Sequence, residues 1–452
     1  MANPRFGTCC NSGNVAIPLL PDPPAPLRRF YDGRDIQSRE FKENIWKYNR
    51  AFAFTSIGVM EDHSYNKIHR GPPIFRIQGE LVHRTGSLLP SPGKNPIYSQ
   101  LYIYEPRLAL QFRIQNNSDL RPDTLRTLQD IIGCSNPYAH LYATASQILK
   151  QHPNTPDAEI RLRPAPGAHR RSGNLPTADE VAAVLPGDSF EGDARDIILH
   201  TRQGPLQRIS ETHPSYVPLQ YPLLFPAGTS GWHPNISSQH PGMRSKNVSL
   251  SRYTQFRIHE RVGEYSTILR GGRLFQRYLV DMWAAVDQQR LSFLRNNQGV
   301  LRATLYSGLE DAVEADEVDL NEIGQRVVLP SSYIGGPRHM QQQFQDSMAV
   351  ARFFRKVDLF ITITANPDWQ EIREALLPDQ TSYDRPDLVS RVFHMKVWSI
   401  IKEITETGIF GKAVAHVYMI EFQKRGLPHM HLLIFLTGPD KLVTPNDINT
   451  AI

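Results

Sequence analysis

The sequence predicts an α+β protein whose best-defined part is an antiparallel sheet flanked by helices near the C-terminus. Three observations predict it. The segment VDLFITITANPDW (357–369) alternates apolar and polar residues as a half-buried strand does, with Leu359, Ile361 and Ile363 on one side. PDLVSRVFHMKVWSIIKEITETG (386–408) places Val389, Val392, Phe393, Val397, Ile400, Ile401 and Ile404 on one helical face. VAHVYMIEFQ (414–423) and HMHLLIFL (429–436) then read as two strands joined by a turn that contains Gly426 and Pro428.

Upstream of this unit the pattern is mixed. Residues 1–40 are an extended lead-in with the proline-rich run PLLPDPPAPL at 18–27. Residues 41–150 form a β-rich unit. Its strand-like segments are AFAFTSIGV (51–59), PIFRIQGELVHRTG (73–86) and IYSQLYIY (97–104), followed by helical spacing from 123 to 150. Residues 151–190 are polar and proline-rich and read as a linker or mobile loop, with His169, Arg170 and Arg171 as a solvated basic patch. Residues 191–338 combine a strand at 193–202, the proline-broken apolar segment 218–228 and a helical stretch from about Tyr253 to Leu309. In that stretch Leu274, Tyr278, Met282, Ala285 and Gln289 make a core stripe flanked by Leu279, Trp283 and Val286. Residues 339–452 complete the chain, with a helix at 339–354 before the first strand.

Composition bounds the function less tightly. The chain has 452 residues, is 40% hydrophobic and carries a formal net charge of +5, so a polyanionic partner is compatible but not demanded. No apolar run of about 18 residues occurs, which argues against a membrane span, and MANPRFGTCCNSGN lacks a signal peptide's apolar stretch. An intracellular protein is the default expectation. Cys9, Cys10 and Cys134 are too few for a disulfide framework.

The chemistry concentrates at His429-Met430-His431. Alternate residues of a strand share a face, so both imidazoles project together while Met430 points to the core. A five-residue turn would set Gln423 opposite His429 and Glu421 opposite His431, gathering all four side chains on one face. Two imidazoles with a carboxylate or amide oxygen suit Mg²⁺ or Mn²⁺ with positions left for water and a phosphate oxygen. A one-residue slip in register would move the acidic group to the wrong face.

EFQKRGLPHMHLLIFL (421–436) closely resembles the His-hydrophobic-His (HUH) motif of Helitron rolling-circle transposases, and LFITITANPDW (359–369) resembles the strand motif that precedes it there. NIWKYNRAFAFTSIG (44–58), PSYVPLQYPLLFPAG (214–228), NNQGVLRATLYSGLEDA (296–312) and VVLPSSYIGGPRHMQQQFQDSMAVAR (327–352) also read like the family's helicase-like N-terminal region, in the same order. The resemblance implies a replication-initiator-type nuclease fold, a central antiparallel sheet flanked by helices. It implies metal-dependent nicking and strand transfer of single-stranded DNA at transposon ends, by a tyrosine that becomes linked to the 5′-phosphate, in the nucleus if the source is eukaryotic. His429 and His431 are implied as metal ligands. Glu421 matches the acidic third ligand of related viral initiators, with Gln423 as the competing choice. Thr362 and Thr364 on the neighbouring strand, and Lys424 and Arg425 in the turn, are candidate supports for the histidines or the DNA.

The sequence departs from the family in several places. The family's tyrosine pair falls on a helix after the His motif and has no counterpart among these 452 residues, so no catalytic residue is assigned. Tyr98 and Tyr102 have the four-residue spacing but lie far upstream and read as core; Tyr418 falls on the face opposite Glu421. The helicase P-loop has no match, since Gly408-Ile-Phe-Gly411-Lys412 is too short, and Cys9-Cys10 is all that resembles the zinc-finger-like region. Arg355-Lys356 stands where relatives carry Gly-Lys. These departures favour, as an alternative, a single-stranded DNA-binding transposon remnant or a host-adopted interaction protein that does not cut.

Overall fold

The structure is a computed structural model that describes residues 7–10, 12–58, 60–61, 77–78, 81–151, 158–162, 182–186, 197–200, 207–237, 247–298, 329–423 and 426–451. It mixes helices with small antiparallel sheets and divides into two compact units, Met1–Ala284 with Leu376–Arg385, and Ala285–Ala375 with Pro386–Ile452. His169, Arg170, Arg171, Lys424 and Arg425 lie outside the described residues, as does most of 296–312.

The first unit is built mainly of helices. Helix Ile36–Phe52 starts at Asp35, whose side chain accepts the backbone N–H of Ser38 at 2.9 Å and satisfies one of the free donors of the first turn. Hydrogen bonds from Ser38 hold the Asp35 carboxyl below the usual range. Phe41, Ile45, Tyr48 and Phe52 recur at helical spacing and are fully buried. Helices Pro106–Asn116, Pro122–Ser135 and Pro137–Gln151 each begin with proline, whose missing N–H costs nothing in a first turn.

Several strands expected here are not strands. The segment 97–104 folds as a 3-10 helix, Tyr98–Tyr102, with Gln100 N–H donating to the Ile97 carbonyl and Ile103 N–H to that of Gln100. Ser99, Leu101 and Ile103 are buried all the same, so alternate burial is real but comes from packing between helices. Tyr102 donates its hydroxyl to the Phe52 carbonyl at 2.6 Å and stacks on Phe54 at 4.2 Å, and burial pushes its phenol up to about 12. In 51–59 only Ser56–Ile57 is a strand, paired with His83–Thr85, which in turn pairs with Gln207–Ile209. The expected linker 151–190 contains the strands Ala158–Leu162 and Ala182–Pro186, which pair with each other, and Ala158–Leu162 also pairs with Ile197–His200. The long helical stretch is broken: helices Leu250–Arg257 and Arg273–Asn296 are separated by turns at 258–272, where Gly263 and Gly272 take positive φ. Leu274, Tyr278, Met282 and Ala285 of the stripe are buried, and Trp283 is exposed.

Asp281 closes the core of this unit. Its carboxylate accepts His83 Nε2 at 2.7 Å, Tyr216 Oη at 2.9 Å and Tyr221 Oη at 2.8 Å, with His83 and Asp281 wholly buried. Burial first, and the neighbouring Asp281 charge second, raise both tyrosines well above the usual phenol range. Three donors converge on one carboxylate, which is how a buried charge is tolerated.

The second unit carries the C-terminal sheet. Its strand order places Pro428–Leu436 between Ala413–Phe422 and Leu359–Thr364, all antiparallel. Met430, Leu432 and Ile434 form the buried face and pack against helix Pro386–Lys402, whose Val389, Val392, Phe393 and Val397 are buried. That helix ends in a wider turn, Glu403–Thr407, and Gly408 at φ 68° donates its N–H to the Glu403 carbonyl, the stop expected from the sequence. Asp358, almost fully buried, ties the sheet's lower end by accepting Leu436 N–H at 2.8 Å and Lys441 Nζ at 3.0 Å.

Candidate metal centre

The face of this sheet away from helix Pro386–Lys402 is where the predicted site residues meet. Alternation puts Thr364, Thr362 and Phe360 on it from one edge strand, His429, His431 and Leu433 from the centre, and Glu421, Met419 and Val417 from the other edge. Cross-strand pairing arranges them in rungs. Thr364, His429 and Glu421 share the first, and Thr362, His431 and Met419 the second.

The register corrects one expectation. Glu421 pairs with His429 and Met419 with His431, whereas the sequence reading set Gln423 against His429 and Glu421 against His431. The reason is the turn. Strand pairing ends at Phe422 with Pro428, and Gln423 N–H donates to the Leu427 carbonyl at 2.9 Å, so Leu427 and not His429 stands opposite Gln423. Gly426 N–H returns to the Gln423 carbonyl at 2.7 Å with φ 78°, a left-handed position that glycine occupies without strain. The shift is two residues, an even number, so Glu421 and Gln423 keep the face of the histidines.

The resulting contacts are short. His431 Nε2 lies 3.2 Å from Glu421 Oε1, a diagonal across adjacent rungs. His429 Nδ1 lies 2.6 Å from Thr364 Oγ1 and 3.4 Å from Gln423 Nε2. The two imidazole centroids are 4.5 Å apart. One ligand atom each from Glu421, His429 and His431 falls within 4.8 Å of the others, a spacing that one cation could bridge. Nδ1 of His431 is buried without a hydrogen-bond partner, so the ring is held by packing and its Nε2 faces the cluster. The His431 side chain is 31% and that of Glu421 49% exposed, so water and a ligand can reach them. Cys9 and Cys10 are buried in the short helix Gly7–Cys10 and join no comparable group among the described residues.

Residues 253–434 match a family model described as the Helitron helicase-like domain at N-terminus. This part of the chain is therefore similar to that domain, and the matched span contains all three strands' site residues, from Phe360 to Leu433. No curated protein matches the chain. Among the described residues no helix is long and apolar enough to cross a membrane.

Two features of the Helitron-like segment escaped the sequence reading. Phe360 lies on the site face, 62% exposed, with its ring stacked on His431 at 5.6 Å and 6°. Its position was legible in principle, because it alternates with the buried-side residues Leu359 and Ile361. The direct pairing of Thr364 with His429 depends on strand order, which periodicity does not carry. Thr362 is level with His431 and exposed.

Proposed function

We propose that the Helitron-like segment is a metal-dependent nicking and strand-transfer domain acting on single-stranded DNA, with Glu421, His429 and His431 as ligands of Mg²⁺ or Mn²⁺. The observation that carries this reading is the convergence of those three side chains on one open sheet face within the matched span. The donor set fits: an exposed carboxylate and two imidazoles on a stiff strand suit a hard or borderline divalent ion, and three protein ligands leave coordination positions free. Such an ion, when bound, stabilises the charge that builds on a phosphate oxygen during in-line displacement. The protein's own contribution is positional. Strand Pro428–Leu436 holds both rings at fixed spacing, Thr364 engages one of them, and the open face admits a phosphodiester from solvent.

A second reading, binding without cutting, is favoured by the tyrosines. Tyr418 sits on the opposite face of its strand from Glu421, and Tyr333 donates its hydroxyl to Asp287 at 2.6 Å, so neither stands at the cluster as a nucleophile. The two readings part in one assay. The chain is incubated with single-stranded DNA and Mn²⁺ and resolved under denaturing conditions. The 452-residue chain is expected to bind DNA, less tightly as salt rises, and to form no covalent adduct. An adduct lost on replacing a tyrosine of this chain would establish cutting; binding indifferent to salt would remove the nucleic-acid reading altogether.

A further inference from the structure

We propose that Thr364 and Gln423 are positioning residues that together hold the Nδ1–H of His429, directing its Nε2 to the ion and leaving Glu421 as the oxygen ligand. This rests on the metal-centre reading above and gives Gln423, the competing third ligand of the sequence, a role other than ligation.

A neutral imidazole ligates through one nitrogen while the other carries the proton. In His429 the nitrogen already engaged is Nδ1, with Thr364 Oγ1 at 2.6 Å and the Gln423 amide at 3.4 Å. Nε2 is therefore the nitrogen available to a cation. A hydroxyl accepts as readily as it donates, so Thr364 Oγ1 can take the Nδ1 proton directly. The carboxamide of Gln423, turned half a rotation about its last bond, presents oxygen where nitrogen now stands and becomes a second acceptor for the same proton. A side chain that holds the Nδ1 proton is committed to that proton and is not a ligand of an ion bound at Nε2. Glu421 is differently placed: its Oε1 contacts His431 Nε2 at 3.2 Å, and its carboxylate groups with both histidines as a potential ligand.

The fold explains why Thr364 can do this. It is the direct cross-strand partner of His429, and branching at Cβ restricts its χ1, so the hydroxyl is held at one angle. His431 has no such support, since its Nδ1 is without a partner. The protein thus orients one ring by hydrogen bonding and the other by packing, with Phe360 stacked against it.

The test measures Mn²⁺ affinity of the full chain by the loss of the free-ion electron paramagnetic resonance signal, with circular dichroism to check folding. Thr364 is exposed and Val is its isostere, so Thr364→Val retains the fold. It is expected to weaken Mn²⁺ binding about 10- to 100-fold, the usual effect of losing a ligand's outer hydrogen bond, with Thr364→Ser restoring most of it. Gln423→Leu should weaken binding less than Glu421→Ala, which removes a ligand. Wild-type affinity in Thr364→Val, failure of Ser to restore it, or a Gln423→Leu loss equal to that of Glu421→Ala would each overturn the assignment while leaving the metal centre standing. A wild-type chain that binds no Mn²⁺ would overturn both.

Discussion

Replacing Asp281 with alanine should destabilise the first unit more than any surface change. The structure sets the magnitude. Asp281 is wholly buried, and its removal strips an acceptor from His83 Nε2, Tyr216 Oη and Tyr221 Oη together. None of the three can turn to water, because His83, Tyr216 and Tyr221 are themselves buried. Breaking a buried pair from one side costs about 3–5 kcal/mol, which corresponds to about a hundredfold to several thousandfold in the opening equilibrium. Asp281→Asn keeps the shape and one oxygen but points an amide at a donor, so its cost should be smaller, about 1–3 kcal/mol. Hydrogen exchange read by mass spectrometry reports this region by itself, through peptides covering 81–85 and 216–221. Protection there should fall by the factors above for Asp281→Ala and by less for Asp281→Asn. Exchange within about threefold of wild type for Asp281→Ala, well under 1.4 kcal/mol, would refute the idea that this carboxylate holds the core.

Two further predictions concern the second unit. Arg355 ends helix Pro337–Phe354 with φ 66° and ψ −50°, a backbone that L side chains rarely adopt, at a position where the sequence resemblance places glycine. Arg355→Gly should therefore stabilise this unit by about 1 kcal/mol, seen as a higher urea midpoint, and a lower midpoint would count against strain at this residue. Met430 and His429 are neighbours on one strand facing opposite ways. Met430→Ala should cost about 2–5 kcal/mol through the cavity it leaves under helix Pro386–Lys402. His429→Ala should change stability by less than about 1 kcal/mol yet abolish Mn²⁺ binding. Equal stability losses from the two would contradict the assignment of faces.

The N-terminal half was poorly legible because its residues alternate in burial for more than one reason. Ser99, Leu101 and Ile103 are buried at every second position, as a strand would be, but on a 3-10 helix wedged among helices. Segment 218–228 follows a related rule, since Tyr221, Leu223, Leu224 and Phe225 are buried in consecutive turns where no period would reveal them. The buried carboxylate at Asp281 looks, in sequence, like one polar position on an amphipathic helix. Its partners come from residues some 60 to 200 positions away, which local pattern does not report.

For the C-terminal sheet the sequence by itself determined the strands, the helix between them and the face on which His429 and His431 lie. The side-chain period of a strand is two, and that period is written residue by residue. It also determined that Glu421 and Gln423 share this face, since a register error of two residues preserves parity. Tertiary structure alone decided which of them reaches which histidine, because the residue at which the turn begins depends on the backbone of Gly426 and the Gln423–Leu427 hydrogen bond. It alone brought Thr364 against His429 and Phe360 against His431, because strand order is a long-range choice made by packing the buried face of the sheet against helix Pro386–Lys402.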